Sequence, residues 1–133
     1  MKEPAWIEER VALAIHGRLL ALHGGAAGLR DRGLLESALA RPRQLRAYAG
    51  NPDIVDLAAA CAAGIIRNHP FMDGNKRTGF LLCALFLETN GYRLAAGEEE
   101  ATEAVMGLAA GAIDEPAFAA WLRANVIRES PAT

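Results

Sequence analysis

From Phe80 to Leu87 the chain reads Phe-Leu-Leu-Cys-Ala-Leu-Phe-Leu, with no polar position at any helical or strand spacing. A helix that is apolar on every side belongs in the interior of a protein, and this run is too short to span a bilayer. The segment extends back to about Asn75 and forward to about Asn90, where Gly91 supplies the left-handed residue that commonly follows a helix. The expectation is a buried central helix that the remaining chain must surround.

The rest of the sequence also reads as helix. Hydrophobic residues make up 52%, much of it alanine and leucine, and aromatics only 6%, a bias toward close-packed helices and away from a β-sandwich. A first helix is expected from near Ala5 to His23, with Ile7, Val11, Ile15 and Leu19 on one stripe and Gly24-Gly25 as its stop. A second follows the N-cap Asp31, carries Leu34, Leu35, Ala38 and Leu39, and should end at Pro42, because the residue before proline avoids the helical region. Arg43 to Pro52 reads as an irregular polar connection displaying basic residues near Tyr48. A third helix spans Asp53 to Asn68 with Ile54, Leu57, Ala58, Cys61, Ala62 and Ile65 facing inward. Two more, about Glu98 to Ala110 and Asp114 to Val126, complete the set, with Phe118, Trp121 and Leu122 as the inward face of the last. No linker or fixed-period repeat divides the chain. The reading is all-α: one domain, residues 1–133, of about six helices around a buried central helix.

Charge and cysteine usage narrow the function classes. A net charge of -2 gives no general attraction for a polyanion, so no direct nucleic-acid partner is expected. Cys61 and Cys83 lie in apolar segments without metal spacing and read as small buried hydrophobes of a reducing compartment. Residues 1–9 lack the apolar stretch of a signal peptide. A cytoplasmic protein without membrane contact is the expectation. His16 and His23 have no acidic or cysteine partner at ligand spacing and read as structural.

The chemistry concentrates in Arg67-Asn-His-Pro-Phe-Met-Asp-Gly-Asn-Lys-Arg-Thr78, a turn between two helices. The start of a helix leaves about four backbone N–H groups unpaired and carries roughly half a positive charge. Gly74 permits a turn closed to residues with a Cβ. Asn75, Lys76 and Arg77 on the first helical turn add donors and charge to that anion site. Two cations at a helix start oppose the macrodipole, and a phosphate would offset them. His69, which Pro70 should hold extended, can take a proton from an alcohol near neutral pH. Asp73 suits Mg²⁺ shared between one carboxylate and substrate phosphates. Phe71 reads as an apolar peg anchoring the loop. A base, a metal carboxylate and a positive cradle are what phosphoryl transfer needs. A nuclease would want a second metal carboxylate and a basic surface, and neither is present in the sequence.

His69 to Arg77 resembles the signature of the Fic/Doc family, His-Pro-Phe-x-Asp/Glu-Gly-Asn-Gly/Lys-Arg, at all nine positions. The stretch from Gly28 to Pro42 resembles the upstream segment of the Doc (death on curing) branch. The resemblance implies a Fic-type helical fold and transfer from ATP, with Mg²⁺, to a protein hydroxyl. It implies His69 as base, Asp73 as metal ligand, and Gly74, Asn75, Lys76 and Arg77 around the donor's phosphates, with Arg67 as a further candidate. Adenylylating members usually carry Gly where this chain has Lys76, and a second arginine where it has Phe80. Those departures point to the Doc-type reaction, in which the γ-phosphoryl group goes to a threonine of elongation factor Tu and translation halts. Adenylyl transfer is the alternative, and a Fic-fold binding module without turnover the second. No inhibitory Ser/Thr-x-x-x-Glu-Gly/Asn string occurs, so the resemblance implies a separate antitoxin whose C-terminal segment folds onto the toxin.

Overall fold

The computed structural model describes residues 3–129. The order is α1 (Glu9–His23), α2 (Arg32–Tyr48), α3 (Ile54–Asn68), α4 (Asn75–Thr89), β1 (Tyr92–Leu94), α5 (Glu98–Ala110), α6 (Glu115–Asn125) and β2 (Val126–Arg128). The fold is mostly helical, as the composition indicates. Helix starts are set by short-range chemistry. Asp31, Asp53 and Asp114 each accept a backbone N–H in the first turn of α2, α3 and α6. At α3 the bond is reciprocal, with the Asp56 carboxylate accepting from the Asp53 N–H, which completes a capping box.

The central helix is α3, not the Phe80–Leu87 run. Every residue from Leu57 to Ile66 is buried, and α2, α4, α5 and α6 all pack on it. Small side chains make this possible: alanines fill much of α3, and a Cβ on Gly79 of α4 would come within 2.7 Å of Ile66. Helix α4 has one buried flank (Leu82, Cys83, Phe86, Leu87), while Leu81 is 38% exposed and Ala84 and Leu85 are half-buried. Its all-apolar circumference is explained by an open cleft on the other flank.

Three boundaries differ from expectation. Helix α1 begins at Glu9, and its inward face is Ala12 and His16, offset from the stripe of Ile7, Val11, Ile15 and Leu19. Helix α2 continues through Pro42 to Tyr48. A proline inside a helix forfeits one backbone bond, but Pro42 is buried and residues on both sides of it are held by partners. Arg41 pairs with Glu115, Arg46 pairs with Glu3, and Arg43 lies over the Trp6 ring at 5.3 Å. The expected polar connection shrinks to a short turn, 49–53. Finally, β2 takes the end of the expected last helix and pairs antiparallel with β1, Leu94 facing Val126.

That two-stranded sheet sits at the C-terminal end of α4, where other parts of the chain are also fastened. Asn90 exchanges two hydrogen bonds with the Ala5 backbone, at 2.8 and 3.0 Å, and Glu129 N–H donates to the Gly91 carbonyl at 2.9 Å. No described helix is long and apolar enough to cross a membrane.

Candidate active site

The loop between α3 and α4 is shaped by two residues with positive φ. His69 caps α3 in the left-handed region (φ 51, ψ 56) and is the one non-glycine residue with positive φ among those described. The expectation that Pro70 would hold it extended is therefore corrected. A proline disfavours the right-handed helical region in its predecessor but leaves the left-handed turn that ends helices open. Gly74 (φ 75, ψ 18) starts α4 from the same region, as a residue without Cβ can do at little cost.

Between these two bends the loop is pinned from inside. Phe71 is 1% exposed and joins the core cluster of Ala12, Leu35, Ala38, Cys61, Ile65 and Leu82. Asn75 is buried, and its amide bonds both ways to the Phe71 backbone, accepting from N–H at 2.9 Å and donating to the carbonyl at 3.0 Å. Its side chain thus closes the loop, where the sequence suggested a nucleotide-facing donor. His16 reaches in from α1, donating from Nε2 to the Asp73 carbonyl at 2.8 Å with its ring stacked 3.8 Å from that of Phe71.

A second strand-like segment supports the loop from outside. Arg30 and Asp31 N–H both donate to the Pro70 carbonyl, at 2.7 and 3.0 Å, and Met72 N–H donates to Gly28. Leu29 pairs with Phe71 across this bridge. The Arg30 side chain donates from Nε to the His69 carbonyl at 2.6 Å and from Nη2 to that of Asn68 at 2.7 Å. In the sequence, Gly28 to Arg30 stand out only within the resemblance, and these bonds give them a physical task.

The outward-facing groups border a cleft of about 920 Å³. His69, Asp73, Gly74, Lys76 and Arg77 line one end. Phe80, Leu81 and Ala84 of α4, with Leu94, Val105 and Met106, form an apolar wall, and Glu98 and Thr102 of α5 also border the cleft. His69, Lys76 and Arg77 are exposed, and their side chains make no hydrogen bond or ion pair among the described residues. The Asp73 carboxylate is steadied by the Gly74 N–H at 2.8 Å and the Ala26 N–H at 3.4 Å.

Besides Asn75, two further residues depart from expectation. Arg67 turns away from the cleft, donating to the Ile113 carbonyl at 3.4 Å. His23, read as structural, is exposed and lines the cleft. Its neighbour His16 is structural and buried. No group of three His, Cys, Asp or Glu residues among those described could enclose a metal. Asp73 as a single carboxylate fits the sparse mode in which Mg²⁺ shares its ligands with phosphates and water. Chemically, the site offers an unengaged imidazole, an oriented carboxylate, a helix N-terminus and two unpaired cations at the end of an apolar trough.

The sequence model of the Fic/DOC family matches residues 6–87, which include the whole loop and its supporting segment. Toxin Doc of Mycolicibacterium smegmatis is 45% identical over 75 residues, or 55% of this chain and 57% of that protein. Protein kinase doc of Escherichia phage P1 is 32% identical over 111 residues, or 84% of this chain and 87% of the phage protein.

Proposed function

This chain belongs to the Fic/DOC family, and on that premise we propose that it is a Doc-like toxin that transfers the γ-phosphoryl group of ATP to a protein hydroxyl. The observation that carries this reading is the cation inventory of the cleft. Among its lining residues, Lys76 and Arg77 are the sole Lys or Arg side chains, and Phe80, one turn further along α4, is apolar. An apolar ring cannot clamp a phosphate as a guanidinium does. With both cations at the loop end, a triphosphate is favoured with its terminal phosphate toward His69.

In this reading His69 accepts the proton of the target hydroxyl as that oxygen attacks the γ-phosphorus. The bond to the bridging oxygen breaks and ADP leaves. Lys76, Arg77 and the first N–H groups of α4 hold the charge that builds on the departing phosphates. Asp73 is the residue that would hold Mg²⁺, whose chemistry is to neutralise the phosphate oxygens. The names of the relatives support toxin and kinase readings, and elongation factor Tu is the proposed target. An antitoxin whose C-terminal segment folds on binding is the proposed partner, and the apolar wall with Leu81, Met106 and the nearby Met72 exposed supports it.

The test is intact-mass analysis of elongation factor Tu after incubation with this protein, ATP and Mg²⁺, beside His69→Ala. Phosphate added by the unmutated protein alone is the expected result. AMP on the target would replace this reading with adenylyl transfer. An unmodified target, with tight antitoxin binding retained, would favour a binding module.

A further inference from the structure

We propose that Arg30 is a positioning residue for His69, holding the imidazole's backbone in the left-handed conformation from which it reaches the cleft. The inference rests on the base role proposed for His69. Helix α3 ends with carbonyls that have no partner within the helix, and the partial negative charge there attracts a cation. Arg30 meets both needs with a fork: Nε to the His69 carbonyl and Nη2 to that of Asn68. Two bonds from one planar group fix the orientation of the last peptide as well as its place.

That peptide is where orientation matters. A left-handed histidine is less favourable than a helical one, so without a restraint residue 69 would sample other conformations and carry its ring with it. The backbone ties from Arg30 and Asp31 fix the Pro70 carbonyl, one peptide further on. The His69 carbonyl is held by the guanidinium. The His69 ring itself makes no hydrogen bond among the described residues, so no side-chain partner holds it, and the backbone sets the point and direction from which it leaves the chain before a target binds. Arg30 does not itself line the cleft; among the described residues its side chain meets only the backbone carbonyls of Asn68 and His69, so its effect passes through residue 69.

The experiment compares Arg30→Ala and Arg30→Lys with the unmutated chain by kinetics and by NMR of labelled histidine, with the His69 signal assigned by its loss in His69→Ala. Misplacement of a reacting group costs roughly tenfold to a hundredfold in rate. Arg30→Ala should lower kcat by that amount with the KM for ATP unchanged, and should broaden or shift the His69 ring resonance. Arg30→Lys, which keeps the charge but not the fork, should fall between. If alanine does not fold, the lysine variant carries the test alone. An unchanged His69 resonance in the folded variants overturns the inference whatever group the enzyme transfers, as does a loss of kcat matched by loss of ATP binding and thermal stability. Retained transfer by His69→Ala would instead sink the base reading, which is a separate result.

Discussion

His16 of α1 and Asp73 of the loop, 57 positions apart, are joined by a hydrogen bond from Nε2 to the backbone carbonyl at 2.8 Å. A carbonyl can only accept, so this nitrogen carries the proton. The same ring stacks on Phe71 at an interplanar angle of 10°. One buried histidine thus supports both the peg of the loop and the peptide of its carboxylate.

The two supports can be separated. His16→Phe keeps an aromatic face for Phe71 and removes the donor, leaving a shielded carbonyl unpaired at about 1–3 kcal/mol. His16→Gln keeps a donor near the place of Nε2 and loses the ring. Denaturant titration should show a stability loss in both. Calorimetry of ATP binding with and without Mg²⁺ should show a weakened metal dependence chiefly in His16→Phe. Identical Mg²⁺ dependence in both variants would detach His16 from Asp73.

Phe71→Ala should lower stability by about 3–5 kcal/mol, because a ring 1% exposed would leave a cavity at the centre of its cluster. Urea midpoints measure this. A loss below about 1 kcal/mol would mean the loop collapses into the gap and that Phe71 is not its anchor.

The start of α3 should respond to acid. Partial burial pushes the Asp53 carboxyl up, but bonds from the Asp56 N–H and the Arg123 guanidinium outweigh it and hold the group below the usual aspartate range. A carboxyl lowered on folding stabilises the fold above the unfolded value, near about 3.9, and ceases to do so as pH falls further. Stability should therefore decline below about pH 4, and less steeply in Asp53→Asn. Equal slopes in the two proteins would remove Asp53 from the account.

The cysteines should respond to alkali. Burial pushes the Cys61 thiol up to about 12, and burial with Cys61 nearby raises Cys83 well above its usual range. An unfolded thiol ionises near about 8.5, so the neutral forms favour the folded state below that pH, and the advantage is lost as pH rises beyond it. Urea titrations at rising pH should show the decline, and a Cys61→Ala, Cys83→Ala double variant should flatten it. Rapid labelling of either thiol at neutral pH in the native protein would contradict their burial.

The loop was legible in the sequence because its chemistry is carried by consecutive residues whose types are individually demanding, from His69 to Arg77. Helix limits were legible where a side chain caps them, as at Asp31, Asp53 and Asp114. The hidden parts depend on backbone partners or on which flank of an element faces a void. Arg30 and His16 bond to carbonyls, which every residue has, so nothing in their spacing marks the contact. Their one faint signal was a histidine beside Ala12 on an otherwise apolar face. Leu81 and Ala84 line a cleft, and an apolar cleft wall has the same composition as a core, so α4 looked more central than α3. Pro42 would mark a helix end only if the neighbouring turns lacked partners, and Arg41, Arg43 and Arg46 have them.

The fastening of Ala5 and Glu129 to Asn90 and Gly91 has a practical corollary. Both attachment points lie at the far pole of α4, about 22 Å from the loop by the rise of a helix of 15 residues. A donor and an acceptor dye at positions 5 and 129 would sit side by side while the molecule is intact and separate when it opens. Such a pair would report on global unfolding in real time with the candidate active site left bare.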